Sequence, residues 1–253
     1  MNRQAERNES AAPSFEQRWR QRFTRFAADH EDDAGIAGWT PTGLSARVRQ
    51  FSRVWDGDTP GALWLDAGCG AGTYVRLLQA RRVDVLGLDY SALSIEKARR
   101  RDNEGRWLVG DATALPMRSG RLDGVLCVGV TQALSGSAPL LDELSRVVRP
   151  GGRVWVDGLN SWCIPHLVER LIRALRGRSA HVRYESPFRL RALMRARGLR
   201  GVQLVWLPIL PARLQRWQPL LEGGAARWAF RRIPLLGALL SHSMILTGEV
   251  GRG

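Results

Sequence analysis

Three glycines at alternate positions, Gly68, Gly70 and Gly72, follow Asp66 in the stretch LDAGCGAGTY at 65–74. Glycine at this density lets a ligand approach the main chain and permits backbone angles that other residues rarely adopt. A turn of this kind between a buried strand and a helix can hold a nucleotide, with helix N–H groups behind it. The spacing excludes two common versions. A nicotinamide fingerprint would put its third glycine at 73, where the chain has Thr73, and no G-K-[ST] of a P-loop occurs. Asp89 comes 23 residues after Asp66, where an acidic side chain accepts the two ribose hydroxyls of a bound nucleotide. Asp111 with the small Ala112, in VGDATALP, is placed to meet an adenine amino group. The stretch from Val128 to Gln132 ends an apolar run and should line the crevice that such sheets open at the carboxyl ends of their strands.

These residues must be positioned by the elements between them. Apolar runs at 62–66, 83–89, 106–111, 123–130, 153–160, 201–207 and 243–250 read as strands. Helical patterns at 73–82, 91–101, 140–152, 166–176 and 187–198 alternate with them. Near-continuous apolar strands separated by helices predict a parallel, doubly wound α/β sheet covered on both faces. Residues 1–13 read as a disordered tail and 14–55 as a helical cap before the main domain at 56–253. Within the cap, Phe15, Trp19, Phe23 and Phe26 share one helical face, which reads as a packing face, with a partner surface as the alternative. About 35 residues rich in Pro and Trp separate the last two strands. The insertion, 208–241, is expected to be either a lid over an apolar substrate or a second small core.

Charge is distributed unevenly. Residues 1–152 carry 21 basic against 19 acidic side chains, whereas 153–253 carry 17 against 5. The C-terminal excess suits an acidic partner, an anionic substrate or a membrane surface, unless its arginines are simply solvated. Arg170, Arg173 and Arg176 alternate with Leu167, Leu171 and Leu175, a basic amphipathic pattern compatible with peripheral membrane association. Cys69, Cys127 and Cys163 form neither a zinc spacing nor a disulfide framework, so no metal is expected and a reducing cytoplasm is. The polar start MNRQAERNES lacks the apolar core of a signal peptide.

Taken together, LDAGCGAGTY, GLDYS (87–91), GDATALP (110–116), DGVLCVGVTQAL (123–134) and LSRVVRPGGRVWV (144–156) resemble class I S-adenosylmethionine-dependent methyltransferases. The likeness is to the small-molecule group of ubiquinone and menaquinone methylases. It is firm over 62–158 and looser over 186–250. It implies a seven-stranded Rossmann-like sheet with the last strand antiparallel, and S-adenosylmethionine as cofactor. Asp66 with the turn Gly68, Cys69, Gly70 and Gly72 would hold the methionine portion. Asp89 and Tyr90 would meet the ribose, Asp111 and Ala112 the adenine, and Val128 the sulfonium. Gln132, Asn160, Arg183 and Tyr184 are the expected acceptor contacts, and His181 the expected base, with His166 a further candidate. The expected reaction is O-methylation of a small apolar, lipid-like or natural-product acceptor, with no specific nucleic acid as partner. A nucleic-acid or protein methyltransferase and a non-catalytic binding protein remain the alternatives. Against the first, the [DN]-P-P-[YF] of base-amine methylases is replaced by CVGVTQ, and Cys127 is not preceded by Pro.

Overall fold

The computed structural model describes residues 13–57, 59–178, 182–210, 212–233 and 235–252. Three helices come first: α1 (Phe15–Asp29), α2 (Asp33–Ile36) and α3 (Pro41–Val54). Each start is written in the sequence. Ser14 and Gln17 form a capping box, Asp32 caps α2 through the Gly35 N–H, and Thr40 caps α3 ahead of Pro41. The alternating region follows as β1 (Leu63–Ala67), α4 (Thr73–Gln79), β2 (Asp84–Asp89), α5 (Ala92–Arg101), β3 (Arg106–Val109), β4 (Leu122–Cys127), α6 (Ala138–Val147) and β5 (Val148–Leu159). The chain ends with α7 (Ile164–Leu175), α8 (Pro187–Ala196), β6 (Leu199–Leu207), α9 (Gln218–Glu222), α10 (Gly224–Arg232), α11 (Leu236–Leu240) and β7 (Ser243–Val250).

The sheet has seven strands in the order β3-β2-β1-β4-β5-β7-β6. The first five are parallel, and β7 runs antiparallel to both β5 and β6. The doubly wound fold with its reversed last strand is as the sequence predicted. Alternation along the strands builds two cores, one per face. Leu65, Val125, Val154 and Leu246 face Leu140, Leu144, Leu190 and Met194 of α6 and α8. On the other face Trp64, Leu126 and Trp155 meet Phe51, Tyr74, Leu78 and Ile95. Phe51 of α3 stacks among Trp55, Tyr74 and Trp155 at centroid separations of 5.2, 5.0 and 5.6 Å. The helical cap is thereby tied to the main sheet rather than appended to it.

Several element boundaries moved, most of all between α6 and β5. The helix expected over 140–152 stops at Val147, and Val148 already pairs with Leu122. Pro150 has no N–H to continue a helix and biases Arg149 toward extended backbone. The register between β4 and β5 shifts before Arg153 pairs with Gly124. The insertion also differs from an open loop. It folds into a 3-10 turn at Ala212–Trp217 followed by α9, α10 and α11. Arg49 and Arg53 of α3 anchor it through Glu222. Trp217 and Trp228 are 49% and 61% exposed, so neither forms the second core that was one expectation. Of the expected tail at 1–13, only Pro13 lies among the described residues.

Candidate active site

The turn after β1 is held by its neighbours' backbone. Gly68 and Cys69 donate to the Leu88 carbonyl at 2.7 and 3.0 Å, and Gly70 donates to Asp89 Oδ2 at 2.9 Å. The other Asp89 oxygen accepts from the Ser91 N–H at 2.9 Å. All three glycines have positive φ, but for different reasons of space. A Cβ at Gly68 would lie 2.2 Å from Val130 Cγ2, and one at Gly72 would lie 2.3 Å from the Trp107 ring. A Cβ at Gly70 meets nothing within 4 Å. Gly68 and Gly72 are small so that the protein can pack, and Gly70 is small beside empty space.

That space is a partly open cleft of about 1030 Å³, counting the solvent at its mouth. Gly68, Cys69, Gly70, Asp89, Tyr90, Asp111, Ala112 and Val128 from the predicted set all line it. Asp66 stands just behind its wall, 1% exposed, and its Oδ2 has no hydrogen-bond partner. Burial, and secondarily the charge of Asp89, pushes the Asp66 carboxyl up to about 8. Burial also raises Asp89, though the Ser91 and Gly70 N–H groups pull it back. One oxygen of a buried carboxyl thus has no partner beside an open glycine cradle, a setting whose chemistry suits a cationic, amino-bearing ligand. The ammonium of a methionine moiety fits it. Asp111 accepts from the Thr113 N–H at 2.8 Å and its hydroxyl at 2.7 Å. Those bonds and its ion pair with Arg20 hold the Asp111 carboxyl low against the effect of partial burial.

The roof of the cleft was not foreseen. Glu16, Trp19, Arg20 and Phe23 of α1 line it, with Asp33 and Ile36 of α2, Trp39, and Leu44 of α3. The aromatic stripe on α1 is therefore a site wall as well as a packing face, for Trp19 is buried while bordering the cleft. Arg20 latches the roof to the sheet by pairing with Asp111 and lying over the Tyr90 ring, 5.5 Å from its centroid. The arginines interspersed along that stripe were the available signal. No described residue of 208–241 lines the cleft. The cleft is bordered instead by α1 and α2.

The four expected acceptor contacts, Gln132, Asn160, Arg183 and Tyr184, lie away from the cleft lining. Asn160 is fully buried, its amide donating to the Ala238 and Ser241 carbonyls at 2.6 and 2.9 Å. The Gln132 carbonyl accepts from the Arg183 N–H at 3.2 Å. The Arg183 guanidinium donates to the Leu134 and Thr131 carbonyls at 2.6 and 2.7 Å, to Ser137 at 2.6 Å, and pairs with Glu185. It bolts down the loop whose Val130, Ala133 and Leu134 do line the cleft. The Tyr184 hydroxyl donates to Glu169 at 3.2 Å. Backbone carbonyls shielded from water need donors, and the Asn160 and Arg183 side chains supply them here. His166 is likewise spent: its ring nitrogens lie 2.8 Å from the Asn160 carbonyl and 2.9 Å from His242 Nδ1. Burial keeps both histidines below their usual range. His181 lies outside the described residues.

Beneath the cleft, Arg47 of α3 pairs with Asp157 of β5 at 3.3 Å, both almost wholly buried. Asp157 Oδ1 also accepts the Gly129 N–H at 2.7 Å. Burial raises the Asp157 carboxyl, and Arg47 and Gly129 draw it back. Arg47 in turn lies 4.4 Å from the centroid of the Trp39 ring. The pair links the cap to the floor of the site.

Residues 65–156 match the protein family described as "Methyltransferase domain". The match spans the segment that carries the glycine turn, Asp89 and Asp111, and agrees with the resemblance to class I S-adenosylmethionine-dependent methyltransferases. Over 100 residues the chain is 36% identical to the demethylmenaquinone methyltransferase of Beutenbergia cavernae, covering 40% of this chain and 42% of that protein. Over 113 residues it is 35% identical to "Probable tRNA methyltransferase 9B" of Bos taurus, covering 44% of this chain and 23% of that protein. The chain thus spans less than half the length of these relatives. Among solved structures, geranyl diphosphate C-methyltransferase from Streptomyces coelicolor A3(2) superposes with a TM-score of 0.63 at 17% identity, covering 95% of this chain and all of that one. That likeness extends the methyltransferase fold beyond the matched domain to the helical cap and the last two strands.

Proposed function

We propose that this chain transfers a methyl group from S-adenosylmethionine to an ionisable oxygen of a small apolar acceptor. The cofactor, when bound, supplies an already activated methyl carbon, so most of the protein's contribution is alignment. Asp66 and the Gly70 turn would hold the amino acid end, Asp89 the ribose, and Asp111 with Ala112 the adenine edge. Val128 and Val130 at the end of β4 would flank the methyl. One observation carries the acceptor class: the roof facing these residues is apolar and aromatic, formed by Trp19, Phe23, Ile36, Trp39 and Leu44. The roof's carboxylates are already committed. Glu16 accepts from Ser135 twice, and Asp33 accepts from Thr73 at 2.6 Å and Arg101 at 2.8 Å and pairs with Arg76. The Ser135 hydrogen bonds hold Glu16 low, making it a poor base. An acceptor that ionises on its own, such as a phenol, an enol or a carboxylic acid, needs no base from these groups.

Titration calorimetry with S-adenosylhomocysteine tests the cofactor half. The parent protein should bind, and Asp89→Ala should lose about 1–3 kcal/mol of affinity. Transfer of label from methyl-tritiated S-adenosylmethionine should reach phenols and carboxylic acids before aliphatic alcohols. Absence of S-adenosylhomocysteine binding would refute the whole reading.

A second reading, a tRNA methyltransferase, is favoured by the net charge of +14 and the tRNA methyltransferase relative. Filter binding of tRNA over a salt series decides it. Under the first reading binding is weak and vanishes near physiological salt, whereas sequence-dependent retention there would favour the second.

A further inference from the structure

Helix α7 is turned inside out. At 3.6 residues per turn, Ile164, Leu167, Val168, Leu171, Ile172 and Leu175 fall within an arc of about 140°. All six are exposed, Leu171 by 60% and Leu175 by 79%. His166, the helix's one buried residue, faces the opposite way, held by Asn160 and His242. Glu169, on that same inner side, accepts from Tyr184. A surface helix of a soluble domain ordinarily buries its apolar stripe. This one turns His166 and Glu169 toward the fold and offers its apolar stripe outward.

The surroundings continue the pattern. Trp162 and Phe188, at the foot of the helix, stack 5.1 Å apart, and both are exposed. Helix α11 packs against α7 and α10 against α11, and they expose Leu240 and Trp228. Between 160 and 242 the chain has 15 arginines, no lysine and only three carboxylates. Arg170 and Arg176 stand exposed on the flanks of the apolar arc, followed by Arg178.

We infer that α7, together with α11 and the Trp162–Phe188 pair, docks this protein onto an anionic lipid bilayer. An apolar arc bordered by arginines and tryptophans is what an interfacial helix presents, with aliphatic side chains in the acyl boundary and guanidinium groups at the phosphates. A second copy of the chain would match the apolar arc but would bring two strongly basic surfaces together, which opposes that pairing. Twelve residues rise only about 18 Å, and no helix among the described residues is long and apolar enough to cross a membrane, so α7 lies on the surface. The helix also leaves the carboxyl end of β5, the sheet edge at which the cleft lies. Resting on the proposed function, docking there would let a lipid-dissolved acceptor reach the roof without crossing water.

Vesicle flotation of the full chain tests this with vesicles of phosphatidylcholine alone and of equal parts phosphatidylglycerol and phosphatidylcholine. The chain should float with the phosphatidylglycerol vesicles, less so as salt rises, and stay down with phosphatidylcholine alone. The double variant Leu171→Glu, Leu175→Glu should bind at least about tenfold less, while its melting temperature and S-adenosylhomocysteine affinity match the parent. Three results would overturn the inference: no binding to phosphatidylglycerol vesicles, equal flotation of the double variant, or a parent dimer that light scattering shows the double variant converts to monomer. If S-adenosylhomocysteine fails to bind but flotation behaves as expected, the function proposal falls and the docking surface stands.

Discussion

Two regions along the carboxyl edge of the sheet handle polarity in opposite ways. Around the cofactor cleft, several cations are paired with carboxylates: Arg20 with Asp111, Arg76 and Arg101 with Asp33, Lys97 with Glu31. The aromatic stripe of α1 there turns inward over the site. Around α7, by contrast, arginine is in large excess and the aliphatic stripe turns outward. A region that encloses its ligand satisfies its own charges. One that leaves apolar and cationic side chains facing outward together is complementary to something outside the fold. Amphipathicity is present in both, and only its direction differs.

That contrast breaks most sharply at the glycine turn. Gly70→Val should abolish S-adenosylhomocysteine binding, because its side chain would enter the cleft, with a stability cost of about 1–2 kcal/mol for a branched residue at φ +53°. Gly68→Ala should do the reverse and lower the melting temperature first, since its Cβ would collide with Val130. Calorimetric titration beside a melting curve separates the two; if both variants lose only stability, Gly70 does not border the ligand.

The junction between the regions comes next. Arg47→Ala strands Asp157 without its buried partner and should cost about 3–5 kcal/mol in urea unfolding. The Arg47→Met, Asp157→Leu double variant should recover part of that loss. A cost below about 1 kcal/mol for Arg47→Ala would mean the pair is not closed in solution.

Asp66 provides a pH test. Its carboxyl lies near 8 in the folded chain against about 3.9 when unfolded. The folded state therefore holds the extra proton. Its contribution is whole below pH 4 and is lost as pH rises through about 8. Asp66→Asn removes this loss, so above pH 8 the variant should melt higher than the parent while binding S-adenosylhomocysteine more weakly. A variant less stable than the parent at pH 9 would show that the carboxylate is satisfied in the free protein.

The smallest effect is expected on the outward-facing side. Trp217→Ala and Trp228→Ala should each change stability by less than about 0.5 kcal/mol and leave cofactor affinity alone, because both rings are half exposed or more and neither lines the cleft. A drop of several degrees in melting temperature would place them in a core after all.

The cofactor half was legible because its information is local. Asp66, the alternate glycines and Asp89 sit at the ends of adjacent strands, and the chain fixes their spacing before any tertiary contact forms. Alternating apolar runs likewise determined the doubly wound sheet, since a strand buried on both faces has few other places to go. The acceptor side was less legible for the converse reason. Arg183, Asn160 and Tyr184 belong to segments expected to reach over the crevice, and only the fold shows that nearby carbonyls and Glu169 claim their polar groups. Periodicity marked the stripes on α1 and α7 equally well and could not say which way either would turn. A helical pattern fixes the relative angle of its side chains, not the rotation of the helix about its own axis. That rotation was decided by distant partners: Asp111 and Tyr90 drawing α1 over the cleft, and Asn160, His242 and Tyr184 holding the polar side of α7 inward.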